Sequence, residues 1–159
     1  MIVNLFGSNI PLHAIAVHFP VSLSVLVPFV FLILLIGITK GYFLNKIWVA
    51  AVCLQVLLFL SVLGAAELGE HEEDRVEKVV EKKMIEEHAE WGERLEWAQG
   101  LILIFAGSAL VFQGRLRLKK VATVASFLGV IPAGLAGHSG GELVYKHGAG
   151  RAYYEGVQH

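Results

Sequence analysis

Charge and sulfur are scarce in this chain, and each shortage excludes something. A single cysteine, Cys53, forbids an internal disulfide, and because it falls inside an apolar stretch it reads as a packing residue. No C-x-x-C-H segment is present for covalent haem attachment, no H-E-x-x-H or C-x-x-C pattern for a hydrolytic zinc site, and no lipidation motif. No basic patch suited to nucleic acid appears. Only 17% of the 159 residues are charged, against about 25% in a soluble domain. From Met1 to Thr39 there is no Asp, Glu, Lys or Arg at all. No nucleophile–base pair stands out either, so bond-making catalysis is not expected.

What is present is apolar and gathered in blocks. The chain is 55% hydrophobic, with a mean hydropathy of +0.62. A helix needs about 20 apolar residues to cross the hydrocarbon core. Four stretches qualify, over residues 14–38, 47–68, 95–112 and 121–137, and they predict an all-α, integral membrane four-helix bundle, a single domain over 1–159. Pro20 and Pro28 are expected to kink the first span, which reads as retained and not as a cleaved signal peptide. No internal repeat is evident.

Between spans two and three the chain is charged yet periodic. Val76, Val80, Met84, His88, Trp91 and Leu95 recur at steps of three and four, which predicts an additional amphipathic helix over 74–94 with His88 on its apolar stripe. Lys83 with Glu87 and Glu90 with Arg94 supply i,i+4 pairs on other faces. After span four, Gly140 and Gly141 are expected to bend the helix or to let backbone pass close to a flat ligand, and His147 is placed in a tight turn by Gly148 and Gly150.

Short-loop Lys and Arg set orientation. Lys40 and Lys46 lie in the first short loop, and Arg115, Arg117, Lys119 and Lys120 in the second. This predicts a multi-pass protein of the inner, cytoplasmic membrane with both termini outside, periplasmic or extracellular. Six histidines then arrive at the outer face: His13, His18, His71, His88, His138 and His147. Histidine is rare near lipid unless it pairs, carries protons or binds a metal.

Two chemical readings compete. In the first, histidines on facing helices give axial nitrogens to haem iron, as bundles build such sites from inward side chains. Small residues Gly64, Ala65 and Ala66 in span two and Gly134, Ala136 and Gly137 in span four make room. Phe19, Trp91, Trp97 and Tyr145 pack on the ring, and Arg151 or Lys146 pairs with propionates. In the second, histidines join Glu67, Glu70, Glu72 or Glu73 to bind a transition metal. There Glu67 and His71 form an i,i+4 carboxylate–imidazole contact. Close helix packing without any cofactor accounts equally well for the small residues.

The segments L-H-A-I-A-V-H-F-P (Leu12 to Pro20) and G-H-S-G-G-E-L-V-Y-K-H-G (Gly137 to Gly148) resemble the end motifs H-P-x-x-V-H-F-P and G-G-x-L-V-Y-x-H-G of the domain of unknown function 2231 family, small four-span membrane proteins. His88 in E-E-H-A-E-W matches that family's histidine before the third span, while Ala14 stands where the family has proline. The resemblance covers almost the whole chain. It implies the four-span topology and a haem-linked redox role beside c-type cytochrome segments.

Together these readings give an expectation. The chain is a b-type cytochrome-like membrane protein with one or two haems b near the outer face, moving electrons instead of catalysing a reaction. His18, His88 and His147 are the first ligand candidates, His13 and His138 the next, with Arg151 beside the cofactor. Bis-histidine iron leaves no open position and so suits electron transfer. The expected partners are the lipid bilayer, a quinone or another membrane redox protein, and a c-type cytochrome; nucleic acid is not among them. One alternative is a transition-metal-binding or transport protein using His18, His88, His147, His13, His138 and His71. Another is a structural subunit, or oligomer component, of a larger redox complex.

Overall fold

The computed structural model describes residues 10–112 and 115–153. Six α-helices account for most of them: α1 (Leu12–Ala16), α2 (His18–Thr39), α3 (Trp48–Val76), α4 (Lys82–Val111), α5 (Leu116–Leu128) and α6 (Val130–Tyr145), with short 3-10 turns at Asn45–Ile47 and Ala149–Tyr153. They form four spans, Leu12–Thr39, Asn45–Val76, Lys82–Val111 and Leu116–Tyr145, each long and apolar enough to cross a membrane. The principal packing runs α2 on α3, α3 on α4, α4 on α5 and α6, and α5 back on α2, which closes a four-membered ring.

Proline explains where two spans are broken. Pro20 has no N–H for the carbonyl of Ala16, where α1 stops, and Pro132 none for the carbonyl of Leu128, where α5 stops. Pro28 lies inside α2, which runs on through it. The bend expected at Gly140 and Gly141 is absent: α6 continues through both, and the break falls at Gly129. The first span ends in a left-handed glycine. Gly41 has φ +77, the Tyr42 N–H donates to the Gly37 carbonyl at 2.8 Å, and the Gly41 N–H to the Ile38 carbonyl at 3.2 Å. Two end carbonyls are thereby satisfied where lipid meets water.

The amphipathic helix expected over 74–94 is not a separate element. Its first residues finish α3 and, after a turn, the remainder opens α4. At 30 residues, α4 is about 45 Å long, well beyond the roughly 30 Å hydrocarbon core, so its charged half stands outside that core. The stripe itself faces inward as periodicity predicts. Val80, Ile85 and Leu95 are buried, and Val80 and Ile85 pack with Leu143 and Ala149. The expected pairs Lys83–Glu87 and Glu90–Arg94 form at 3.8 and 3.0 Å on the exposed side.

The bundle surface is inverted relative to a soluble protein. Leu26, Phe29, Ile33, Leu60, Ile104, Val124 and Leu128 are exposed, whereas Ser24, Gln55, Gln99, Thr123 and Ser126 are buried. Water penalises such an arrangement, and lipid favours it. Cys53 also lies on the exposed surface and not in the core. Between α3 and α4, Gln55 Nε2 donates to Gln99 Oε1 at 2.9 Å and to the Gln99 carbonyl at 3.1 Å, and Trp48 Nε1 donates to the Ala106 carbonyl at 3.1 Å.

The buried positions reveal a repeat that the sequence conceals. Counting forward from His13, the buried residues Pro20, Ser24, Val27 and Phe31 fall at +7, +11, +14 and +18. Counting forward from His88, the buried residues Leu95, Gln99, Ile102 and Ala106 fall at the same offsets. In the returning spans, Val62, Leu58, Gln55, Ala51 and Trp48 are buried at −3, −7, −10, −14 and −17 from the buried Ala65. The buried Ala133, Gly129, Ser126, Ala122 and Lys119 match them, counted from the buried Ala136. The chain is therefore two helical hairpins that bury their residues in one register. Among the matched buried positions only Ala51/Ala122 and Ala65/Ala136 share a residue type; beyond them the reference pair His13/His88 does, so identity barely betrays the repeat.

Replacing Gln55 by Leu removes both bonds from its amide and leaves Gln99 Oε1 without that donor, while the Gln99 carbonyl keeps its place in the α4 ladder. Interhelical bonds of this kind contribute about 1 kcal/mol. Detergent-induced unfolding of Gln55→Leu is expected to show a loss of that size, and an unchanged unfolding midpoint would mean that the amide pair does not tie α3 to α4.

Candidate functional site

At one end of the bundle, His13 from the first span and His88 from the third meet across the ring. Their imidazole centroids are 5.9 Å apart and their planes are inclined at 81°. Both are half-buried. They come from diagonal spans, and they are the positions from which the two matching registers are counted.

Each ring is held by the returning span of its own hairpin. His13 Nδ1 lies 2.8 Å from the carbonyl of Ala65. A carbonyl only accepts, so His13 Nδ1 carries the hydrogen. His88 Nδ1 lies 2.9 Å from Ser139 Oγ, and Ser139 Oγ donates its own proton to the carbonyl of Ala136 at 3.1 Å. His88 Nδ1 is then the donor to the serine. In both rings the acceptors assign the tautomer, and in both it leaves the lone pair on Nε2. Metal-ligating histidines are commonly oriented in this way, with one nitrogen fixed by a carbonyl and the other free to ligate.

Glycine seats the rings. A Cβ at Gly69 would stand 3.0 Å from His13 Nδ1, and a Cβ at Gly140 would stand 3.1 Å from His88 Cε1. Each glycine follows its anchoring alanine by four residues, so Ala65-x-x-x-Gly69 and Ala136-x-x-x-Gly140 are two copies of one cradle. Small residues four apart let a neighbour approach the helix backbone.

A second layer ties down His13. Its N–H donates to Glu72 Oε1 at 3.2 Å, while Glu72 Oε2 accepts from the Tyr153 hydroxyl. The Arg75 guanidinium lies over the Tyr153 ring, 5.3 Å from its centroid. One carboxylate thus joins α1, α3 and the turn at Ala149–Tyr153. Burial, reinforced by the Glu72 carboxylate, pushes the Tyr153 pKa up from its usual value, so the hydroxyl stays protonated and remains a donor at neutral pH.

The other candidates are placed differently. His18, first in α2, is exposed and has no hydrogen-bond, ion-pair or ring partner among the described residues. It follows His13 by five residues, about 140° around a helix, so the two cannot both face the axis. His71 is exposed and lies 3.2 Å from Glu67, the expected i,i+4 contact. His138 is exposed, 3.6 Å from Glu142, which also pairs with Lys146. His147 and Arg151 are exposed, flanking the left-handed Gly148 at φ +72, so the expected turn is present. Phe19, Trp97 and Tyr145 are exposed, while Trp91 is half-buried beneath the Arg94 guanidinium. Of the small residues, Ala65 and Ala136 face inward, whereas Gly64, Gly134 and Gly137 face out. His159 lies outside the described residues.

Among the described residues no group of three or more His, Cys, Asp or Glu side chains is placed to hold a metal ion. The side chains that meet at this end are two imidazoles. Sequence reasoning ranked His13 below His18 and missed Ser139, Gly69 and Tyr153. The available signal was the Ala-x-x-x-Gly spacing, which occurs once in the second span, at Ala65 and Gly69, but three times in the fourth, at Ala125 and Gly129, Ala133 and Gly137, and Ala136 and Gly140, so it did not single out the cradle there.

A family described as "Predicted membrane protein (DUF2231)" matches residues 9–152, which takes in the whole site up to Ala152. The chain belongs to this family. Neither a curated protein nor a solved structure matches it. The matched region includes both cradles and both paired histidines, so the site lies in the part of the chain that the family covers.

Tyr153→Phe removes the hydroxyl that clips the last turn to Glu72. Bonds to charged groups are worth about 1.5–3 kcal/mol when buried, and this one is partly open. A loss near the lower figure is expected, together with faster amide hydrogen exchange over residues 149–153. Exchange equal to that of the unaltered protein would show that the clip does not hold the turn.

Proposed function

We propose that this DUF2231 protein is a b-type cytochrome-like electron carrier of the membrane, in which His13 and His88 would hold one haem. One observation carries the reading: two imidazoles from diagonal spans stand 5.9 Å apart, each with Nδ1 fixed and Nε2 left as a lone pair. The donor set fits haem. The macrocycle brings four nitrogens of its own, so two imidazoles complete the iron, whereas a bare transition ion draws on three or four protein ligands in the usual sites.

When bound, haem supplies one-electron redox chemistry. The protein's own residues fix the ligand rings. Ala65 and Ser139 hold their rotation, Gly69 and Gly140 allow them to sit close to the helices, and Glu72 keeps α1 from drifting. The amphipathic start of α4 covers the site from one side. Exposed His18, His138 and His147 stand at the same end of the bundle, where Arg151 is available for a propionate.

The basic short loops support an orientation with that end outward, in an inner-membrane setting with termini outside. A membrane donor such as a quinone or a redox subunit, and an outside acceptor such as a c-type cytochrome, fit that placement.

The test is spectroscopic. Protein made with ample haem should be red, with a Soret band and b-type reduced-minus-oxidised bands. His13→Ala and His88→Ala should each lose or shift that spectrum, while His18→Ala should leave both spectrum and potential unchanged. A wild-type preparation without Soret absorbance sinks the haem reading. If such a preparation retains zinc, copper or iron, the site is a metal site instead; if it is metal-free and copurifies with larger subunits, it is a scaffold. Loss of colour in His18→Ala but not in His13→Ala would move the ligand assignment outward.

A further inference from the structure

The opposite end of the bundle has no part in the histidine site, and its charge is of one sign. Lys40, Lys46, Arg115, Arg117, Lys119 and Lys120 belong to the two short loops and the start of α5. The sequence has no Asp or Glu before Glu67, and none between Glu96 and Glu142. Among the described residues, six cations therefore share that end with no carboxylate.

Five of the six are exposed and meet solvent or headgroups directly. Lys119 is only 3% exposed. Its Nζ donates to Asn45 Oδ1 at 2.8 Å and stands 5.6 Å from the centroid of the Trp48 ring. An amide oxygen and an aromatic face soften the charge without neutralising it. An ammonium has three N–H donors, and Asn45 accepts from one. A buried cation without an anion is costly, and such residues in membrane proteins are kept where they meet a charged partner.

Lys119 lines a cavity of about 280 Å³ together with Ile38, Thr39, Asn45 and Leu116. The volume lies just below the roughly 300–1,000 Å³ of small-molecule sites, large enough for one compact anionic group. Its wall is polar at Thr39, Asn45 and Lys119 and apolar at Ile38 and Leu116. The matching position in the first hairpin is Trp48, which fills its own space. The buried cation is therefore a local departure from the repeat.

We infer that this cavity binds a phosphate group, that of an anionic phospholipid headgroup or of free phosphate, with Lys119 as its counter-ion. Basic pockets between spans are suited to such headgroups, and one Lys held against a phosphate is enough to favour an anionic lipid about five-fold.

The test uses the full chain in detergent and in nanodiscs. Phosphatidylglycerol should be retained about five-fold better than phosphatidylcholine by native mass spectrometry and should raise the thermal midpoint. Lys119→Gln should abolish the preference, Lys119→Arg should keep most of it, and Lys120→Gln, which alters an exposed neighbour, should leave it nearly intact. Inorganic phosphate giving the same thermal shift assigns the free anion; phosphate without effect assigns the headgroup. Equal retention of the two lipids by the unaltered protein, or a full preference surviving in Lys119→Gln, overturns the inference. Should Lys119→Gln fail to fold, the unaltered protein still decides. Amide exchange over 37–46 and 115–120 must be slower in phosphatidylglycerol than in phosphatidylcholine nanodiscs, and equal exchange refutes the site.

Discussion

Hydrocarbon offers no hydrogen bonds, and nearly every feature of this structure follows from that constraint. Backbone polar groups must be satisfied within the chain, which leaves helices as the spanning element. The same rule ends α2 in a glycine that returns two N–H groups to helix carbonyls. It also sends Gln55, Gln99, Thr123 and Ser126 to the interior, where backbone or amide oxygens await them, and leaves Leu26, Ile33 and Ile104 to the lipid. A histidine near the membrane surface falls under the same rule. His13 and His88 each find a carbonyl for Nδ1, one directly and one through a serine, and the unanchored nitrogen of each ring becomes the group with chemistry to do.

Composition and periodicity made the four spans legible, because a run of apolar residues without charge has few soluble explanations. The stripe through Val80, His88 and Leu95 was legible for a related reason: a period of three to four residues marks the face that packs. Choosing between His13 and His18 was a different problem. Both lie in the first uncharged stretch, and depth in that stretch favours His18. What decides their direction is the helix phase set by the break before Pro20, and a hydropathy profile carries no phase. Gly140 was misjudged by a similar route. Glycine in a helix weakens it locally, yet α6 persists because its backbone bonds are worth more in lipid than in water, and the missing side chain serves to admit His88.

The repeat was illegible for a physical reason. Two hairpins need only bury the same positions, and many residue combinations fill one volume. Phe31 and Trp48 occupy one hairpin where Ala106 and Lys119 occupy the other, so bulk lost on one side is supplied from the opposite one. Trp48 also donates to the Ala106 carbonyl and stacks at 5.3 Å on Phe31, which shows how one hairpin's large residues lean into space left by the other's small ones. Complementation of this kind erases identity while preserving register. The histidine pair is itself a register position, which is why two rings so far apart in sequence meet at one level of the bundle.

Two of the differences between the hairpins concern chemistry more than bulk. Three residues after the anchoring alanine, one has Leu68 and the other Ser139, so His13 reaches its carbonyl directly and His88 needs a spacer. Seventeen residues before it, one has Trp48 and the other Lys119, and a packed indole is exchanged for a buried cation beside a cavity. Packing alone does not demand either change. A serine inserted between ring and backbone costs nothing in volume that an alanine would not, and a buried lysine is a worse space-filler than any apolar residue. Local choices that break an otherwise consistent pattern tend to mark function. The two clearest breaks here lie at opposite ends of the bundle, one within the imidazole pair and one within the basic cavity.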